Sequence, residues 1–158
     1  MEGLANVYRD QFKFDAAAAL YVRVQAGREK QLGTEHLADT LTTMKSLGEL
    51  YLDQSKYDEA EKLFARVLQS NKKQLGEEHP ETLFVVAGFA LLRENQGRWE
   101  ETEELYRQAL TGAEKTLGPS HEETRNIVEH LADLFDKQGK EEDAGALRAR
   151  FREVEQKA

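Results

Sequence analysis

No cysteine occurs in this chain of 158 residues, which removes disulfides, thiol nucleophiles and thiolate metal sites from consideration. Proline is almost as scarce, with two residues, and there is a single tryptophan. No apolar run approaches the roughly 20 residues needed to span a bilayer. The opening MEGLANVYRDQ has neither the basic nor the apolar region of a secretory leader, so no membrane attachment and a cytoplasmic setting are expected. Positive charge is also in deficit. The 22 Lys and Arg stand against 30 Asp and Glu, a net charge of −8, and the phosphate-neutralising surface that nucleic-acid binding requires is not provided. No Gly-rich phosphate loop is present, and no cofactor is expected. What the chain does have is 39% apolar and 33% charged residues, a balance that suits charged helices around a continuous core.

The apolar residues are arranged in a repeat. Leu47 to His79, LGELYLDQSKYDEAEKLFARVLQSNKKQLGEEH, returns as Phe89 to His121, FALLRENQGRWEETEELYRQALTGAEKTLGPSH. Leu75-Gly76 and Leu117-Gly118 lie 42 residues apart, as do Thr82 and Thr124. Upstream the spacing from Leu32-Gly33 to Leu75-Gly76 is 43, the extra residue falling in the turn His36 to Thr40. The chain therefore holds four copies, over 1–39, 40–81, 82–123 and 124–158, and a fixed period of this length points to a single solenoid array whose repeats shield one another.

Within each copy the apolar period is helical. Leu41, Met44, Leu47, Leu50 and Tyr51 form one face of a first helix, and Ala60, Leu63, Phe64, Val67 and Leu68 one face of a second. Short turns separate the two, at Gln54-Ser55-Lys56, Gln96-Gly97-Arg98 and Gln138-Gly139-Lys140, where Gly97 and Gly139 can adopt the left-handed conformation that closes a helix. Acids open each second helix, where its positive dipole end favours them. The second helices stop at Gly33, Gly76 and Gly118, and the next begins near the following histidine. The expected fold class is all-α, eight helices in antiparallel pairs. Gly27, Ser70 and Gly112 occupy equivalent places in the second helices. Close approach of a neighbouring helix and a local bend both account for such small residues.

These features resemble the tetratricopeptide repeat family, in the long form of about 42 residues found in kinesin light chains and in the sensor arms of some signalling ATPases. The resemblance rests on Leu47-Gly48, Tyr51, Tyr57, Ala60, Phe64 and Leu68; on Leu4-Ala5, Tyr8, Phe14, Ala17 and Tyr21; on Phe89-Ala90, Trp99, Tyr106, Ala109 and Leu110; and on the segments Glu29 to His36 and Glu114 to His121. It implies a right-handed superhelix, no enzymatic activity and a concave groove lined by the first helices. In family terms the groove residues are Lys45, Glu49, Leu52 and Asp53, then Phe84, Ala87, Leu91, Glu94 and Asn95, then Asn126, Glu129, His130 and Asp133. Phe84, Leu91 and Leu52 form an apolar patch flanked by Glu49, Asp53, Glu94 and Asp133, suited to a peptide with apolar anchors and neutral to basic flanks. The alternative for Phe84 and Leu91 is packing against an adjacent helix.

Departures from the family pattern set further expectations. Kinesin light chains carry an Asn-Asn pair before the Leu-Ala of the first helix, where this chain has Lys45-Ser46, Ala87-Gly88 and Glu129-His130, so acidic motifs are poorly matched. Arg93 and Thr102 replace an aromatic and a small residue, which predicts looser packing in the third copy. Glu141 and Arg148 put charge on a face that a further repeat would cover, as a cap does. Met1, Leu4, Val7 and Tyr8 leave apolar surface at the other end, from which a missing upstream part or self-association through the N-terminal repeat is expected. The two functional readings are therefore an adaptor that captures a partner's peptide and a sensing or self-associating arm of a larger signalling protein. A metal ladder through His36, His79 and His121 is excluded by distance, since packed helices lie about 8 to 10 Å apart and zinc ligands within about 2.2 Å of the ion.

Overall fold

The computed structural model describes residues 37–155 together with Ala16 and Ala19. Six helices are described, α1 (Leu37–Asp53), α2 (Tyr57–Gln74), α3 (Pro80–Asn95), α4 (Trp99–Thr116), α5 (Glu122–Lys137) and α6 (Glu141–Glu155). Eight were expected; the first pair falls on 1–36, outside the described residues, as does the apolar N-terminal surface. No strand occurs among the described residues. The chain forms two compact units, Met1–Ser70 and Asn71–Ala158.

In the first unit the predicted faces meet. Leu41, Met44, Leu47 and Leu50 of α1 and Ala60, Phe64 and Val67 of α2 are buried, while Tyr51, Leu63 and Leu68 are half-buried. Gly48 lies under the Phe64 ring, where an added Cβ would sit 2.8 Å from Cε1. A bare backbone at this point lets the two helices close onto one another.

In the second unit α3 is the most apolar helix, with Leu83, Val85, Val86, Ala90 and Leu92 buried. Tyr106, Ala109, Leu110 and Ala113 of α4 and Ile127, Val128, Leu131, Ala132, Leu134 and Phe135 of α5 complete the core, and Ala144 and Phe151 of α6 are buried as well. Consecutive helices pack on each other, α3 on α4, α4 on α5 and α5 on α6. Gly112 of α4 takes the side chain of Leu83, which an added Cβ would approach to 2.6 Å. Close approach of a neighbouring helix, rather than a bend, thus accounts for this glycine.

The turns within copies share one closure. The amides of Lys56, Arg98 and Lys140 donate five residues back to Tyr51, Arg93 and Phe135 at 2.8 to 2.9 Å, and the preceding residue is left-handed, Gly97 and Gly139 at φ 72° and 73° and Ser55 at 58°. This closure satisfies carbonyls that a helix end would otherwise leave open. The joints between copies are equally regular. Gly76 and Gly118 are left-handed. Nδ1 of His79 and of His121 accepts the amide of Glu81 and of Glu123, at 3.2 and 3.3 Å, so both histidines are helix N-caps. The hydroxyls of Thr82 and Thr124, fully buried, donate to the carbonyls of Gly76 and Gly118 at 2.7 and 2.8 Å.

The third copy is not loosely packed. Thr102 is fully buried and its hydroxyl donates to the Arg98 carbonyl at 2.9 Å. Arg93 lies over the Phe89 ring, donates to Gln96 Oε1 at 2.9 Å and reaches Glu101 at 3.5 Å. A small polar residue and a guanidinium fit because each satisfies its donors locally.

Candidate functional site

The residues singled out for a groove lie on the first helices α1, α3 and α5, and their exposure divides them. On α1, Lys45 and Glu49 are half-buried and Asp53 is exposed, but Leu52 is buried, with 7% of its surface in water. It is withdrawn as a contact residue, since burying a leucine stabilises by about 1.5 to 3 kcal/mol and this outweighs its register position. On α3, Phe84, Ala87 and Glu94 are half-buried and Asn95 is exposed. Leu91, between the buried Ala90 and Leu92, is 36% exposed. On α5, Asn126, Glu129, His130 and Asp133 are all exposed.

The acids on this face are already engaged within the second unit. Glu94 accepts Lys137 Nζ at 2.6 Å and the Tyr106 hydroxyl at 3.3 Å. The bond to Glu94 raises the Lys137 pKa, and burial, reinforced by the Glu94 charge, raises that of the Tyr106 phenol. The Tyr106 ring in turn stacks parallel on His130, centroids 5.8 Å apart. Arg148 of α6 donates to Glu129 Oε2 at 3.0 Å, Asp136 Oδ2 at 2.7 Å and Asp133 Oδ1 at 2.5 Å, and the bonds to Asp136 and then Glu129 push its pKa up. Periodicity pointed to the charge on Arg148 but not to its acceptors. Only the reach of a long side chain back across its own helix pair shows them. Asn95 turns its amide inward, Nδ2 donating to the Leu91 carbonyl at 2.8 Å.

The site is therefore a helical face on which Lys137 and Arg148 offset part of the charge of Glu94, Glu129, Asp133 and Asp136, with one exposed leucine. Among the described residues no three His, Cys, Asp or Glu side chains come together to hold a metal, and no helix is long and apolar enough to cross a membrane. Touching this face only through Lys137, a concavity of about 730 Å³ opens between the α3–α4 and α5–α6 turns, with Trp99 in its lining.

Paired helices with a left-handed glycine or serine at each turn, glycine under a packed side chain and joints that recur after 42 residues define an all-α helical-repeat fold. The tetratricopeptide repeat profile matches residues 1–73, 39–91 and 82–147, and the chain belongs to the tetratricopeptide repeat family, of the kinesin-light-chain-like type. Nearly identical repeats of a putative kinesin light chain from Podosopora anserina superpose with a TM-score of 0.83 at 25% identity, over 99% of this chain and 74% of that one. BtubC (BKLC) from P. vanneervenii superposes equally well, TM-score 0.83, at 17% identity over 98% of this chain and 61% of its own. MamA of AMB-1 gives a TM-score of 0.57 at 21% identity, over 98% and 71%. Among curated proteins none matches the sequence.

Proposed function

We propose that the chain is a protein–protein interaction scaffold that takes a peptide segment of a partner on the face of the second unit presented by α3 and α5. The repeat family and the kinesin-light-chain-like neighbours support a scaffold. The observation that carries the peptide reading is Leu91, a leucine left 36% exposed between the buried Ala90 and Leu92 and beside the polar side chains of Glu94 and Asn95. An apolar anchor of the partner seats on Leu91, with Phe84 and Ala87 on the same helix behind it. Glu94, Glu129 and Asp133 carry one more charge than their partners Lys137 and Arg148, so flanks that are neutral to basic suit the face. Lys45, Glu49 and Asp53 occupy the corresponding register positions on α1.

Peptides selected against the whole chain from a displayed random library give the probe. Leu91→Glu is expected to weaken them by about 10- to 100-fold, matching the roughly 1.5 to 3 kcal/mol of one buried leucine contact, with helical content unchanged. Equal affinity for the two forms would remove this face as the binding site.

A further inference from the structure

The concavity beside Trp99 touches the Leu91 face only through Lys137, the partner of Glu94, and carries its own chemistry. Trp99 opens α4 and is 43% exposed, the one large aromatic so exposed among the described residues. Its counterpart in the second copy, Tyr57, is half-buried, and in the last copy the place is taken by Glu141. A lone exposed apolar side chain decides little by itself. The surrounding charges decide more. Each cation of the lining is already tied to a carboxylate, Arg98 to Glu101 at 2.5 Å, Lys137 to Glu94 at 2.6 Å and Lys140 to Glu103 at 2.9 Å. Glu100, next to the indole and exposed, has no such partner among the described residues. Gln138 also lines the concavity, and its Oε1, closed off from water, accepts no hydrogen bond.

One repeat earlier the equivalent glutamine is satisfied. There Gln96 Oε1 accepts the guanidinium of Arg93, which also lies over an aromatic ring, Phe89, and reaches a glutamate, Glu101. In the next copy the residue in the place of Arg93 is Phe135, buried in the core, so the glutamine is left without its guanidinium. An indole face, an unpaired carboxylate and an unused amide oxygen together complement a planar cation rich in N–H donors. We propose that this concavity binds the side chain of an arginine presented by a partner protein, the guanidinium stacking on Trp99, pairing with Glu100 and donating to Gln138 after rotation of its terminal amide. Arginine fits better than lysine because its flat, weakly hydrated head can stack and donate at once.

Trp99 is the only tryptophan in the chain, so tryptophan emission reports on this concavity directly. The probe is acetyl-Gly-Arg-Gly-amide added to the full chain, with the citrulline peptide as the uncharged control. The arginine peptide is expected to give a saturable change in emission with half-saturation in the millimolar range. The citrulline peptide, and the arginine peptide on Glu100→Gln, should each bind at least threefold more weakly. Glu100 is an exposed first-turn residue, and unchanged circular dichroism would confirm that the variant folds. A response that never saturates, that is the same for arginine and citrulline, or that survives Glu100→Gln undiminished overturns the proposal. The Leu91→Glu variant should respond to the arginine peptide as the parent chain does, so failure of the peptide-face reading and failure of this one are separate results.

Discussion

Tyr106 and Arg148 hold the same position in consecutive copies, and their environments differ in a way that shows what a neighbouring repeat contributes. Tyr106 is 1% exposed, its ring lies on His130 of α5 and its hydroxyl reaches Glu94 of α3. The next copy supplies the cover, so an aromatic can be spent there on apolar burial. Arg148 has no described helix pair beyond it and instead turns its guanidinium onto Glu129, Asp133 and Asp136 of its own pair. The same register position thus serves as cement between repeats at Tyr106 and as a charged seal within one helix pair at Arg148.

Truncating the cement should have the largest effect. Tyr106→Ala is expected to destabilise the chain by about 3 to 5 kcal/mol, the range for an aromatic removed from a core, read as a lowered denaturant midpoint. Next comes the contact between α3 and α4. Gly112→Ala forces a methyl to within 2.6 Å of Leu83 and should cost about 1 to 2 kcal/mol once the gain in helix propensity is set against the overpacking. Gly145→Ala, where an added Cβ meets nothing within 4 Å, should raise stability by about 0.5 to 1 kcal/mol. A thermal melt of the pair gives opposite shifts if local packing is the cause.

Tyr106→Phe isolates the hydroxyl and is expected to cost about 0.5 to 1.5 kcal/mol near neutral pH. Its clearer signature is alkaline. The phenol is harder to ionise when folded than its ordinary value of 10.0, so the parent chain loses stability as pH rises above about 10, where the unfolded tyrosine ionises and the buried one does not. The phenylalanine variant lacks that contribution and should show a shallower decline in urea midpoint between pH 9 and 11. Breaking the seal should matter least. Arg148→Met removes partly exposed ion pairs and is expected to cost under about 1 kcal/mol, a difference that shrinks between low salt and 1 M salt as the charges are screened.

The parts of the fold legible in the sequence are those set by backbone geometry and period. Gly97, Gly139, Gly76 and Gly118 announce the turns because left-handed backbone favours glycine, and the apolar spacing locates the faces of α1 and α2 because 3.6 residues per turn admits few alternatives. Ser55 adopts the same conformation without that signal, and only its alignment with Gly97 and Gly139 points to it. The candidate site is less legible. Register pairs Leu52 with Glu94 and Leu91 with Glu49 and puts both leucines on the expected groove face, yet one is buried and the other exposed, because burial depends on what packs beside each position. The pairing of Arg148 with three acids and of Lys137 with Glu94 depends on long side chains spanning helices, information that no period holds. Gly112 illustrates the middle case: its smallness is plain in the sequence, and its cause, Leu83, lies 29 residues away.

The joints at Gly76, His79 and Thr82 and at Gly118, His121 and Thr124 fasten main chain to main chain through a ring nitrogen and a hydroxyl, with no demand on the identity of the surface residues around them. A segment cut from Gly76 to Leu117 is thus a cassette with matching ends, and duplicating it in tandem would lengthen the protein by one unit while every splice reproduces a hinge the chain already makes.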